Sequence, residues 1–316
     1  MVRRKRKRKK NISITLFLML LAFLYGFYFN EINKTFALMY DEYGNALLKD
    51  SKEEKEQLVD KDNTLKIYYL DVGQADSVLI DSNNEYMLID GGNNNDGPLL
   101  VKYFQELGIK DIKYIVGTHP HEDHIGGIDE VINNFNINQI FIPDAITTTK
   151  TFEDLLDSIE KKNLTFTVPT INNTYTLGET TIKIIYTGTD TSDLNNSSII
   201  IKLTYKKTSY LFTGDATNIT EKKILNKDIK SDVLKIGHHG SKYSSTENFI
   251  KKVNPKYAII SVGKGNKYGH PNIETINLLN KYNIKTYRTD ELGTILLTSD
   301  GNNIEITSFK TNTNGG

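Results

Sequence analysis

The sequence feature that most limits what this chain can be is a cluster of histidines in the segment THPHEDHIGG, which holds three of the six histidines. The segment follows a short predicted strand and precedes a predicted helix, so it forms a loop at the carboxyl end of a strand. His119 and His121 point the same way on an extended backbone, while Asp123 and His124 follow as the chain turns. The two closing glycines are expected to permit the tight turn into the helix. Imidazole and carboxylate groups suit zinc, manganese or iron, so the segment predicts a metal site.

Composition removes several alternatives for the chemistry of that site. The chain contains no cysteine, which excludes thiolate nucleophiles, disulfides and zinc sites built on cysteine. The formal net charge is zero, but eight of the 39 basic residues lie in the first ten positions. The rest of the chain therefore has a net charge of −8, and nucleic-acid binding would need a local basic patch.

The N-terminal region predicts a membrane anchor. Residues 12–29 carry no charge and span about 27 Å as a helix, close to the roughly 30 Å hydrocarbon core of a bilayer. The basic residues of segment 1–11 predict that this end is cytoplasmic, so that everything after residue 29 lies outside the cell membrane. A cleaved signal peptide is the alternative, although the segment does not end in small residues.

The remaining sequence is organised as one large domain. Hairpin-forming strands mixed with strand–helix units predict an α/β fold of two mixed sheets with helices on the outer faces, an αββα sandwich. The predicted boundaries are a basic tail at 1–11, a transmembrane helix at 12–29, a linker at 30–64, the domain at 65–310 and a tail at 311–316.

Seven segments of this domain carry a resemblance to a known family. They are YYLDVGQADSVLI, YMLIDGG, THPHEDHIGGID, NNSSIII, LFTGDA, VLKIGHHGS and ISVGKGNKYGHPN. In this order they resemble the metallo-β-lactamase superfamily, and specifically the hydrolase domain of ComEC-type competence proteins. The resemblance runs from Leu65 to about Thr307 and implies the metallo-β-lactamase fold.

The resemblance also implies a set of ligands for one or two divalent metal ions, zinc or manganese. Asp215 corresponds to the aspartate that bridges two metals, and His238 to the last ligand, because it follows the strand VLKIG directly. His239, beside it, is the alternative for that position. The implied ligands are His119, His121, Asp123, His124, Asp215 and His238.

Other residues are expected, from the same resemblance, to support the ligands or contact the substrate. Asp90 is expected to orient the histidine loop, and the remaining residues of this group are Asp76, Asn196, His239, Ser241 and Lys242. Two residues are expected to be catalytic, Asp123 by orienting water and His270 as a general acid. Most superfamily members carry a further ligating histidine before the bridging aspartate. Here residues 125–237 contain none, so binding of a single metal ion is an alternative.

The predicted function is a membrane-anchored, extracytoplasmic hydrolase that uses a metal-activated water, most simply a phosphodiesterase or nuclease acting on DNA. An esterase acting on envelope components such as phosphorylcholine esters is one alternative, and a metal-binding module without catalysis is the other. Tyr243 and Tyr268 have lysine neighbours and are candidates for a basic, aromatic groove that leads to the site.

Overall fold

The structure is a computed structural model that describes residues 64–309, and its first sheet contains eight strands. Numbered along the chain, the strands lie across the sheet in the order 15-14-1-2-3-4-5-6. Three neighbouring pairs, 3–4, 4–5 and 5–6, are parallel. The strands are β1 (Leu65–Tyr69), β2 (Ser77–Ser82), β3 (Glu85–Gly91), β4 (Asp111–Val116), β5 (Asn136–Phe141), β6 (Phe166–Thr167), β14 (Thr294–Ser299) and β15 (Ile304–Phe309).

The second sheet contains seven strands in the order 13-12-11-10-9-8-7. The pairs 10–11, 11–12 and 12–13 are parallel. The pairs 7–8, 8–9 and 9–10 are antiparallel. The strands are β7 (Thr174–Leu177), β8 (Thr180–Tyr186), β9 (Ile200–Tyr205), β10 (Thr208–Phe212), β11 (Val233–Lys235), β12 (Tyr257–Ile260) and β13 (Lys285–Arg288).

Helices occupy the connections between the strands. Helix α4 (Lys150–Lys161) shows why they form: Thr149 caps its first turn, and Phe152, Leu155 and Ile159 bury one face at helical spacing. The helices are α1 (Gly97–Glu106), α2 (Glu122–Ile125), α3 (Ile128–Asn134), α4 (Lys150–Lys161), α5 (Asn218–Ile224), α6 (Glu247–Val253), α7 (Ile273–Lys281) and α8 (Thr289–Leu292).

Three buried cores hold these elements in four layers. Alternate residues of β1 divide between two of the cores: Ile67 and Tyr69 pack between the two sheets, whereas Tyr68 packs on the side of α1, α3 and α4. The third core lies on the outer face of the second sheet and contains side chains of α5, α6 and α7. The predicted αββα sandwich is therefore confirmed, and strands with two buried faces explain the long apolar runs in the sequence.

The predicted membrane anchor at 12–29, most of the linker at 30–64 and the tail at 311–316 lie outside the described residues. Between residues 64 and 309, no helix combines the length and the hydropathy that a membrane crossing requires.

The candidate site residues follow the carboxyl ends of strands. The histidine loop follows β4, Asp215 follows β10, and His238 and His239 follow β11. Because β3, β4 and β5 are parallel, as are β10, β11 and β12, the loops after these strands gather at one end of each sheet. This is the end of an α/β sheet at which ligand sites form.

The glycine pair of the histidine loop has a different purpose from the one expected. Both residues have negative φ, −58° at Gly126 and −91° at Gly127, so neither needs the conformational freedom of glycine to make the turn. Instead, a Cβ on Gly126 would lie 2.3 Å from backbone atoms of Asn93 and Asn94, and one on Gly127 would lie 2.5 Å from the Gly91 carbonyl oxygen. The pair lets the histidine loop pack directly on the loop after β3.

This close approach predicts the effect of the smallest possible side chain. We expect Gly126→Ala to lower the free energy of unfolding by about 3 kcal/mol, because the clashing atoms belong to the backbone and cannot rotate away. Urea unfolding monitored by circular dichroism measures the change. The matched control is Gly108→Ala. An added Cβ would meet no atom of the rest of the protein within 4 Å there, and the positive φ of 76° alone costs about 1–2 kcal/mol. Equal stability of the two variants would contradict the packing argument.

Candidate metal centre

Two carboxylates and two imidazoles meet where the sheets' loops converge. One ligand atom from each of Asp123, His124, Asp215 and His239 lies within 4.8 Å of the others. The Nε2 atom of His239 is 3.2 Å from Asp123 Oδ2 and 3.7 Å from Asp215 Oδ2, and Nε2 of His124 is 3.3 Å from Asp215 Oδ1. We call these four residues the acid–histidine cluster.

Asp90 orients one ring of the cluster from behind. Its buried carboxylate accepts hydrogen bonds from the backbone N–H and the hydroxyl of Thr118, at 2.7 and 2.8 Å, and lies 2.8 Å from Nδ1 of His124. With Nδ1 donating to Asp90, Nε2 of His124 is the ring atom that faces Asp215 and is placed to bind a metal. Asp90 itself has a φ of 59°, a strained conformation that is typical of functional sites.

Asp76 orients the second ring, with the help of a residue that the sequence analysis missed. Its buried carboxylate lies 3.3 Å from Nδ1 of His239, and the Ser261 carbonyl oxygen lies 3.0 Å from the same nitrogen. The Nζ atom of Lys235, which is 2% exposed, lies 2.7 Å from Asp76. The signal for Lys235 was present in the sequence, because a lysine interrupts the otherwise apolar strand segment VLKI.

His119 and His121 form a second group of converging nitrogens, which we call the histidine pair. The Nε2 atom of His119 and the Nδ1 atom of His121 are 2.9 Å apart, and the ring of His119 lies 4.1 Å from that of His124. Burial and the nearby charge of His124 lower the pKa of His119 well below its usual value, so its ring is neutral. Neutral imidazole is the form that binds metal.

The structure places His239, the alternative for the last metal position, in the acid–histidine cluster, whereas the preferred residue His238 lies at its edge. The two residues have φ values of 51° each, and this left-handed turn directs their rings to different surroundings. The side chain of His239 is 2% exposed and that of His238 is 25% exposed, although Nε2 of His238 also comes within 3.7 Å of Asp215. His238 lines the open cavity and lies 5.5 Å from the ring of His270.

The side chain of Asn196 is not part of the cavity wall. Its Oδ1 accepts hydrogen bonds from the hydroxyls of Thr217 and Thr220, at 2.6 and 3.2 Å, so the buried side chain holds the turn together. Asn195 lines the cavity instead, and its Oδ1 is buried without a hydrogen-bond partner. The sequence could not separate these neighbours, because their orientation depends on the 3-10 turn Leu194–Ser197.

Two further expected residues lie beside the site and do not line it. Ser241 is buried, and its hydroxyl accepts a hydrogen bond from the backbone N–H of Tyr243 at 3.3 Å. Lys242 is exposed, and its backbone N–H donates to Oδ1 of Asn272 at 2.8 Å. Both therefore hold the shape of the loop that follows the two histidines.

A cavity of about 550 Å³ opens over the acid–histidine cluster. His270, the expected general acid, is part of its wall, and burial together with the charges of His238 and His239 lowers the pKa of His270 to about 4. Gln74, for which the sequence offered no role, accepts a hydrogen bond from the Gly263 N–H at 3.0 Å. The lining residues are Gln74, Asn93, His121, Glu122, Asp123, Asn195, Asp215, His238, His239, Lys267, Tyr268 and His270.

The electrostatics of the cluster call for a cation. Burial raises the pKa of Asp123, but the charge of His124 and a hydrogen bond from His239 outweigh it and lower that pKa to about 2. Burial lowers the pKa of His239, but the charges of Asp215 and Asp76 raise it to about 10. The carboxylates therefore remain charged and draw protons onto the rings, and a divalent cation would supply the same positive charge.

Two unpartnered atoms test whether a metal fits. Nε2 of His124 and Oδ1 of Asp215 are buried, face each other and make no hydrogen bond. Buried polar atoms without partners are rare in folded proteins and are accounted for here if both bind an ion. A donor set of imidazole nitrogen and carboxylate oxygen suits zinc or manganese, so the residues fit the implied metal.

A two-sheet sandwich with histidines and aspartates gathered at the strand ends defines a class of metal-binding α/β proteins, and comparison with known proteins gives the family. Residues 70–264 match the metallo-beta-lactamase superfamily. The chain belongs to this superfamily. Among solved structures, the metallo-beta-lactamase fold protein YhfI from Bacillus subtilis is similar in fold, with a TM-score of 0.52, 11% identity and coverage of 75% of this chain and 100% of that one.

Curated relatives are competence proteins of the ComEC type, as the sequence motifs indicated. The chain is 29% identical over 247 residues to ComE operon protein 3 of Bacillus subtilis, covering 72% of this chain and 32% of that protein. It is 27% identical over 256 residues to Recombination protein 2 of Haemophilus influenzae, covering 78% and 30%. Competence protein ComA of Neisseria gonorrhoeae is 27% identical over 255 residues, covering 74% and 32%. The aligned region spans about a third of each relative's length.

The buried ion pair behind His239 gives a prediction for stability. We expect Lys235→Met to lower the free energy of unfolding by about 3–5 kcal/mol, because Asp76 would keep a buried charge without its cation. The control is Lys256→Met, which removes an exposed lysine 3.2 Å from Asp232 and should cost about 1 kcal/mol or less. Urea unfolding of both variants measures the difference, and a Lys235→Met protein as stable as the control would refute the role given to the pair.

Proposed function

We propose that the chain is a metal-dependent phosphodiesterase whose reaction takes place at the acid–histidine cluster. The observation that carries the proposal is the meeting of two carboxylates and two imidazoles, of which Asp123, Asp215 and His239 line an open cavity and His124 lies buried behind them. The histidine pair beside it is the candidate for a second metal position. We infer zinc or manganese, because the ligand set contains both nitrogen and carboxylate oxygen.

Three residues of the cavity wall, Asp123, His238 and Lys267, have a role in the chemistry that we propose. When bound, a divalent ion would lower the pKa of a bound water towards neutrality and polarise a phosphoryl oxygen. Asp123 has a side chain that is 32% exposed, far more than that of Asp215 at 3%, so it is the carboxylate available to orient water. His238 and Lys267 line the cavity and can donate hydrogen bonds to an anionic substrate.

His270 lines the cavity 5.5 Å from the ring of His238. We retain it as the candidate general acid and assign its ring to a hydrogen bond with an oxygen of the substrate phosphate.

Phosphodiesters are preferred among the substrates this fold can process. Two of the relatives are named for recombination and for competence, and we infer a nucleic-acid phosphodiester from those names. The proposal also retains residues 12–29 as a single membrane anchor with the N-terminus cytoplasmic and the catalytic domain outside, on the basis of the uncharged segment and the basic residues before it.

Hydrolysis of bis-p-nitrophenyl phosphate in the presence of manganese or zinc tests the proposal. We expect turnover that a chelator abolishes, and a loss of roughly a hundredfold or more in Asp215→Asn, because that residue lies within the cluster. The control is Asp228→Asn, an exposed aspartate away from the cavity, which should keep full activity. Full activity in Asp215→Asn, or turnover of carboxyl esters with none of the phosphodiester, would overturn the proposal.

A further inference from the structure

Four exposed apolar side chains lie on or close in sequence to the cavity wall. Of the large apolar residues that are exposed between residues 64 and 309, Tyr243 and Tyr268 are 60% and 58% exposed, and Ile219 and Ile273 are also in this group. Hydrogen bonds join the segments that carry three of them: the N–H of Asn218 donates to the Tyr243 carbonyl at 2.8 Å. The N–H of Lys242 donates to Asn272, which precedes Ile273. These segments therefore adjoin one another.

Tyr268 is the member of this group that lines the cavity. Its ring is 5.8 Å from the ring of His270 with 24° between their planes, and the ring of His270 is 6.4 Å and 27° from that of His239. Each ring is thus inclined by less than 30° to the next, and the series leads from the exposed Tyr268 to the acid–histidine cluster.

The loop holds Tyr268 in a fixed position. Oδ1 of Asn266 accepts hydrogen bonds from the backbone N–H groups of Tyr268 and His270, at 3.2 and 3.0 Å. Nδ2 of the same side chain donates to the carbonyl oxygens of Gly263 and His270, at 2.9 and 2.6 Å. One side chain therefore ties the loop at four points. An exposed ring on a tied loop loses little conformational freedom when a ligand binds.

Each exposed tyrosine has a lysine above its ring. Nζ of Lys267 lies 5.2 Å from the Tyr268 ring centre, and Nζ of Lys242 lies 5.5 Å from the Tyr243 ring centre. Both lysines are exposed and can move to meet an anion. Aromatic rings interleaved with lysines bind a ligand that alternates flat bases with phosphates. The two lysines supply local positive charge for a phosphate, which nucleic-acid binding requires because residues 11–316 carry a net charge of −8.

We propose that Tyr268 is a stacking platform for a nucleobase beside the scissile phosphodiester, that Lys267 contacts an adjacent phosphate, and that the substrate is single-stranded nucleic acid. This inference rests on the proposed phosphodiesterase function. A single strand is required because a base stacked within a duplex has no free face to offer the ring. The platform tolerates any sequence, since every base has a π-face.

Binding of labelled oligonucleotides to the Asp215→Asn protein tests the inference without depending on turnover. Fluorescence anisotropy compares an ordinary single strand with a strand of the same length that contains abasic residues, so that only the bases differ. We expect the base-bearing strand to bind about fivefold more tightly or better. Adding Tyr268→Ala should remove this preference, and Tyr268→Phe should retain it. Ile146→Ala changes an exposed apolar residue elsewhere and is the control.

The outcomes separate this inference from the function on which it rests. Equal binding of the two strands, an unchanged preference in Tyr268→Ala, or duplex bound as tightly as single strand would overturn the stacking platform. Any of these results is compatible with full hydrolysis of bis-p-nitrophenyl phosphate by the wild-type protein. Conversely, absence of that hydrolysis with a retained base preference would refute the phosphodiesterase and leave a nucleic-acid site.

Discussion

The balance of charge around three buried aspartates is the constraint on which this structure depends. Asp76, Asp90 and Asp215 are each no more than 3% exposed, and a carboxylate in that environment needs a nearby cation or hydrogen-bond donors. Lys235 meets this need for Asp76, and His124 and the hydroxyl of Thr118 meet it for Asp90. Asp215 is left with three imidazoles, those of His124, His238 and His239, and with one oxygen that accepts no hydrogen bond, which is the environment of a metal ligand.

The fold makes this arrangement possible because it brings distant segments of the chain to one edge. Asp76 precedes β2 and Lys235 ends β11, so their ion pair joins residues 159 positions apart. The hydrogen bonds of Gly126 and Gly127 to Gly92 and Gly91 pack the histidine loop on the end of β3. The candidate site residues therefore lie in loops, and the two sheets hold these loops in position.

Local sequence patterns predicted the fold and much of the candidate site. They did not predict features that depend on the geometry of a turn or on contacts between residues distant in sequence. The sandwich and the convergence of His119 with His121 were predictable from apolar runs and from the extended backbone at His121. The distinction between His238 and His239 was not, because it depends on two consecutive residues with φ of 51°. The difference between Asn195 and Asn196 depends on contacts distant in sequence. The hydroxyls of Thr217 and Thr220 donate to Oδ1 of Asn196, whereas Oδ1 of Asn195 has no hydrogen-bond partner. Lys235 was overlooked because its partner is remote in sequence.

Anomalous X-ray diffraction from crystals grown with manganese or zinc tests the central claim most directly, because it locates the ion independently of activity. The account predicts an anomalous peak within about 2.0–2.3 Å of Nε2 of His239 and of His124 and of a carboxylate oxygen of Asp215. A second peak between His119 and His121 would identify the histidine pair as another metal position. A peak bound by His238 in place of His239, or no peak at the acid–histidine cluster, would contradict the account.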